Sequence, residues 1–203
     1  FSESVGAVNH LASDAELDPN FLVIDTRPQS EFKSGHFPGA LNIQQGAKFE
    51  TWLGSIVGPE EAFYLLAENP QELESVIKKS AKIGYEKNIA GAMVPESTKL
   101  HTQGKMVDLD AFKADPENYY IVEIRNECEF QREKFFVNAV NIPLHELREM
   151  AIRIVTEQPL VVHCAGGYRS AAGTSILSAL LPDNEVLDLG EAVKEFEEKS
   201  TAH

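Results

Sequence analysis

Short apolar runs rich in Val, Ile, Phe and Tyr recur along the chain at 21–25, 62–67, 119–125 and 160–164. They show no polar alternation, so neither face need meet water, which is the pattern of buried parallel strands. Longer stretches with helical character lie between and after them. Segments 48–57 (KFETWLGSIV) and 144–155 (LHELREMAIRIV) place apolar residues three and four apart. Segment 70–83 follows Asn69, a candidate N-cap, with Pro70 in the first helical position, and segment 168–181 stops just before Pro182. Strands alternating with helices at this spacing predict an α/β fold with mainly parallel sheets flanked by helices.

The pattern occurs twice, at an offset of 97–99 residues. Asp18-Pro19 falls on Asp115-Pro116, Asp25 on Glu123, Arg27 on Arg125, and Glu31-Phe32 on Glu129-Phe130. Downstream, Ala40 to Ile43 falls on Ala139 to Ile142, Ala67 on Cys164 and Gly91 on Gly190. So steady an offset predicts two copies of one fold. The first is expected over 1–94 and the second over 106–203, with the polar stretch 95–105 as linker.

Composition narrows the partners. With 203 residues, 43% hydrophobic and 25% charged, the chain is ordinary globular material. A formal net charge of -14 argues against nucleic acid and against an anionic membrane, since both would be repelled. No apolar run is long enough to span a bilayer, and the first residues lack a basic stretch followed by an apolar one, so a soluble, cytoplasmic protein is expected. The chain starts at Phe1 rather than Met, which leaves room for residues upstream. Its two cysteines, Cys128 and Cys164, make no disulfide framework and fit a reducing compartment. The histidines at 10, 36, 101, 145, 163 and 203 never fall into ligand spacing, so no metal and no cofactor is predicted.

The chemistry is concentrated in LVVHCAGGYRSAAGTSILSALL. A buried strand ends at Cys164, a short loop follows, and a helix begins near Arg169 or Ser170. Loop amides and the positive end of a helix face the sulfur there, and Arg169 adds a full charge. Gly166 and Gly167 let the backbone curl around the sulfur. Such a cradle suits an anionic sulfur or an oxyanion. An inert buried cysteine would need no glycines, arginine and helix start within six residues of it. Cys128, in RNECEFQRE, has neither glycines nor a strand end beside it and reads as a helix or loop cysteine.

CAGGYRS resembles the active-site loop of rhodanese-type sulfurtransferases, CxxGxR[ST], with matches at Cys164, Gly167, Arg169 and Ser170. FLVIDTRPQSEFKSGHFPGALNI is similar to the opening of a rhodanese domain through its Asp-x-Arg, Glu-Phe and Gly-His-x-Pro-Gly-Ala pieces. The resemblance implies two rhodanese-like domains in tandem. It implies that Cys164 takes the outer sulfur of thiosulfate or a persulfide, carries it as a persulfide, and releases it to cyanide, sulfite or a thiol. Ala165, Gly166, Gly167, Tyr168, Arg169 and Ser170 would then form the loop. Its amides would stabilise the persulfide, Arg169 would attract the donor, Tyr168 would line the entrance or pack on the helix, and Ser170 would cap the helix in preference to hydrogen-bonding the sulfur. His163 should point away from the nucleophile into the core.

The first copy reads FYLLAENPQELES where the nucleophile belongs, so it is expected to be inactive, with Asp25, Arg27, Glu31 and His36 left as scaffold polar groups. The second copy departs at Lys134-Phe-Phe-Val-Asn138-Ala139, where Phe135 and Phe136 are expected to form an exposed apolar contact. Near the end, Glu191 and Phe196 replace residues common in the family, a change that bears on packing. An inactive copy before an active one resembles the C-terminal part of bacterial fusions with a metallo-β-lactamase-fold persulfide dioxygenase, whose metal domain would have to lie upstream of Phe1. Two other functions compete. A non-catalytic rhodanese interaction module is opposed by the intact Cys164 and Arg169. A cysteine-dependent phosphatase is opposed by loop length, since those resemble HCx5R and HCAGGYR has four residues between Cys and Arg.

Overall fold

The computed structural model describes residues 7–196, so the segment around Phe1 and His203 lie outside the described residues. The chain divides into two compact units, Phe1–Gln103 and Gly104–His203. No helix among the described residues is long and apolar enough to cross a membrane.

The first unit contains β1 (Leu22–Asp25), α1 (Gln29–Ser34), β2 (Leu41–Asn42), α2 (Phe49–Ile56), β3 (Phe63–Leu66), α3 (Pro70–Lys82) and β4 (Ile89–Met93). The strands form one parallel sheet in the order β2-β1-β3-β4. All of β3 is buried, which accounts for its unbroken apolar run. Helix α3 begins as its sequence predicts: Asn69 Oδ1 accepts from the Glu72 amide at 2.9 Å, with Pro70 in the first turn.

The second unit repeats the plan with α4 (Leu109–Ala114), β5 (Tyr120–Glu123), α5 (Glu127–Arg132), β6 (Val140–Asn141), α6 (Leu147–Met150), β7 (Leu160–His163), α7 (Tyr168–Leu180) and β8 (Val186–Asp188). Its parallel sheet runs β6-β5-β7-β8, the same topology as the first. The α/β architecture of two parallel, helix-flanked sheets expected from the apolar pattern is therefore what the chain adopts. Repetition extends to individual hydrogen bonds. Asn42 Nδ2 donates to the carbonyls of Asp25 and Arg27, and Asn141 Nδ2 donates to those of Glu123 and Arg125.

Three expectations change. In register, Tyr64 pairs with Gly91 while Val161 pairs with Leu187, so Gly190 is not the counterpart of Gly91 and lies beyond the strand. Helix 144–155 shrinks to α6 and a 3-10 turn at Ala151–Arg153, leaving Ile152 and Val155 exposed. Phe135 and Phe136 do not form an exposed patch. Phe136 is buried against Phe112, Phe196 and His163, and Phe135 sits under the Arg125 guanidinium, while the neighbouring Val137 faces solvent. Stretch 95–105 carries a 3-10 turn at Ser97–Lys99. Thr102 exchanges backbone hydrogen bonds with His36, and Lys105 accepts from the Asp188 amide.

Candidate active site

In each sheet the chain leaves the two central strands for opposite edges, which opens a crevice at their carboxyl ends. Cys164 follows β7 directly at this point and is 1% exposed. Asp25 pairs with Leu66 and Glu123 with His163, so Ala67 occupies in the first unit the position that Cys164 holds in the second.

The loop between Cys164 and α7 turns on one residue. Gly167 has φ +88°, a left-handed conformation that side chains disfavour. A Cβ there would also lie 2.9 Å from the Glu191 nitrogen and the Gly190 carbonyl carbon. The turn aims the Gly167 amide at Cys164 Sγ, 3.3 Å away, at the positive end of a 13-residue helix. Gly166 is under no such demand, since a Cβ there meets only Lys194 Cε at 4.0 Å. Of the glycine pair, Gly167 alone is required by geometry.

Arg169 is not the free charge that the sequence suggests. Its two terminal nitrogens donate to Glu129 Oε2 at 2.7 Å and Oε1 at 2.8 Å, a bidentate pair with side chains 16% and 33% exposed. These bonds raise the Arg169 guanidinium above its usual value, to which the nearby Cys164 sulfur adds, and they lower the Glu129 carboxyl. The sequence signal for Glu129 was its alignment with Glu31, which is exposed in the first unit, where no arginine follows Ala67. Ser170 does not cap the helix by accepting from amides; it is buried and donates to the Gly167 carbonyl at 3.0 Å, bracing the turn. Tyr168 is half-buried in the first turn, which raises its phenol, and Ala165 is likewise partly buried.

Behind the loop lies a polar cluster that the sequence did not reveal as one. Glu123 is fully buried and ion-paired to Arg125, yet burial still raises its carboxyl. His163 is fully buried with Nε2 3.7 Å from Glu123 Oε2, and burial lowers it to about 3, so it is neutral and packed against Phe136 in the core. Asp25 and Arg27 form the matching pair in the first unit, and Arg27 also donates to the Gly35 carbonyl at 2.8 Å. His36 stacks on Phe32 and contacts its carbonyl. Glu31 stands outside this network. The crevice of the first unit is lined by Thr26, Gln44, Glu68, Glu72 and Lys79, without a cysteine. Cys128 is exposed on α5. Among the described residues no group of His, Cys, Asp or Glu is arranged to hold a metal ion.

Residues 8–90 match the family model of the rhodanese-like domain, and the match ends before Cys164. Rhodanese-like domain-containing protein 14, chloroplastic, of Arabidopsis thaliana is 31% identical over 93 residues, covering 41% of this chain. The chain spans 42% of that relative's length. A rhodanese-related protein from Thermoplasma volcanium matches 47% of this chain and 92% of its own at 25% identity, with a TM-score of 0.42. A 3-mercaptopyruvate sulfotransferase of Escherichia coli covers 85% of this chain and 93% of its own at 15% identity, with a TM-score of 0.34.

Proposed function

We propose that the chain is a tandem of two rhodanese-like domains in which the second is a sulfurtransferase working through Cys164 and the first is inert. The observation that carries this reading is the Cys164 sulfur at the end of a buried strand, receiving the Gly167 amide at the start of α7. The rhodanese-like match of the first unit supports it, together with the same strand order in the second. Ala67 in the nucleophile position leaves the first unit without a thiolate to carry sulfur as a persulfide.

With thiosulfate as donor, the Cys164 thiolate attacks the outer sulfur, an S–S bond forms to Cys164, the S–S bond of thiosulfate breaks, and its electron pair leaves with sulfite. The Cys164 persulfide anion then lies in the cradle of loop amides, with the Gly167 N–H oriented to it before the reaction begins. A thiolate, sulfite or cyanide attacks the terminal sulfur and restores the Cys164 thiolate. A persulfide donor follows the same course, with a thiolate as leaving group. The four residues between Cys164 and Arg169 draw the loop closely around one sulfur atom, and this supports sulfur over a phosphoryl group as cargo. An oxygenase, fused or associated, as source or consumer of the persulfide is the wider form of this reading.

Intact-mass spectrometry after incubation with thiosulfate or glutathione persulfide tests it. One extra sulfur per chain is expected, discharged by cyanide, and Cys164→Ser should gain none. Equal loading of Cys164→Ser would show that the sulfur sits elsewhere and would end the proposal.

A further inference from the structure

Three cations stand around the Cys164 loop, and each already has a carboxylate. Arg125 pairs with Glu123, Arg169 is forked onto Glu129, and Lys194, whose Cε approaches Gly166, has Glu191 at 3.7 Å. His163 behind the loop is neutral. The three pairs thus sum to zero formal charge before the sulfur ionises, and the sulfur then adds a negative charge, within a chain of net charge -14. A cradle so balanced offers a dianion no excess positive charge.

We propose that Glu129 is a specificity-determining positioning residue: by neutralising Arg169 and fixing its fork, it biases Cys164 toward neutral or singly charged sulfane-sulfur donors and against dianions such as thiosulfate. This rests on the sulfurtransferase reading and goes beyond it in naming the charge class of the donor. Glu129 does not touch the sulfur; it acts through Arg169, which spans both. The first unit supports the assignment, because Glu31 occupies the aligned position and is exposed where the loop arginine is missing.

Thiosulfate and methanethiosulfonate make a matched pair of probes. Both present an outer sulfur on a sulfonyl-type centre. The first carries two negative charges and leaves as sulfite, and the second carries one and leaves as methanesulfinate. Glu129→Gln keeps the length of the side chain and its capping bond to the Asn126 amide, since Gln serves that position as Glu does, so the variant should fold. The expected result is a rise in kcat/KM for thiosulfate of about tenfold relative to methanethiosulfonate, the scale of one partly screened charge beside the site. An unchanged ratio, with both donors affected alike, would overturn the proposal and leave Glu129 a structural partner. Should the variant fail to fold, the unaltered protein decides by salt titration. Repulsion of the dianion predicts that thiosulfate kcat/KM rises with ionic strength more than methanethiosulfonate kcat/KM, and a fall would overturn the proposal. Sulfur loading is measured by mass first. If Cys164 gains sulfur from neither donor, the sulfurtransferase reading fails and takes this inference with it.

Discussion

Replacing Gly167 by Ala adds one methyl group where two physical costs coincide. The φ of +88° is a conformation that costs a residue with a Cβ about 1–2 kcal/mol. The new Cβ would also meet the Glu191 nitrogen and Gly190 carbonyl carbon at 2.9 Å. Both are backbone atoms that cannot rotate away, and overpacking of this kind costs about 1–3 kcal/mol. The sum, roughly 2–5 kcal/mol, is a large part of the stability of a domain this size and corresponds to a loss of about 10–25 °C in its Tm. Gly166→Ala is the control, because its Cβ has open space apart from Lys194 Cε at 4.0 Å and its φ is not positive. It should shift stability by no more than about 0.5 kcal/mol. Denaturant unfolding of both variants, with sulfur loading followed by mass, checks the pair. Gly167→Ala should be strongly destabilised and should load slowly even where it is folded, because its amide no longer points at Cys164 Sγ. Equal stability and equal loading of the two variants would refute the argument that the loop turns on Gly167.

His163 is held neutral by burial at about 3, below its unfolded value near 6.5, so the unfolded chain binds the extra proton between these limits. Its contribution is complete above pH 6.5 and is lost as pH falls toward 3, on the order of a few kcal/mol. His163→Leu, the residue type of Leu66 in the first unit, should flatten the pH dependence of the denaturant midpoint over that window without loss of stability at pH 7. Asp25→Asn should cost the first unit about 3–5 kcal/mol in denaturant unfolding, because it leaves the buried Arg27 without its counter-charge.

Much of the fold was legible because its strands are buried on both faces. The run at 62–67 carries no polar interruption and that at 160–164 only His163, and the capped start of α3 was written in Asn69-Pro70. Cys164 and its loop were legible because the residues lie next to each other in sequence. What escaped depends on contacts across the sequence. Glu129 is 40 residues from Arg169, and nothing local says that the two meet. Phe135 and Phe136 read as surface because a turn of Lys, Phe and Asn gives no sign that Arg125 and Phe112 wait beneath it. The false pairing of Gly91 with Gly190 arose because residue identity was matched where strand register decides.

The two units share a frame and differ at one helix start. Both keep the carboxylate–arginine pair at the end of the first strand and the Asn that ties the edge strand to it, since the fold needs those bonds whatever follows. They part at the helix that begins after the third strand. In the first unit Asn69 supplies its own side-chain oxygen to the Glu72 amide, so the helix start is satisfied from within and Glu68 guards it with a negative charge. In the second unit α7 has no side-chain cap; Gly167 takes the strained turn instead, and its amide is directed at Cys164. A helix end closed by its own carboxamide gains stability, and one left open to a sulfur gains a place to hold charge. The cap takes the Glu72 amide, inside the first helical turn, whereas the amide directed at Cys164 belongs to Gly167, and the residue aligned with Gly167 in the first unit is Pro70. On this reasoning Ala67→Cys alone should not create a second sulfur carrier, because Pro70 stands where Gly167 donates its amide and has no N–H to offer the anion.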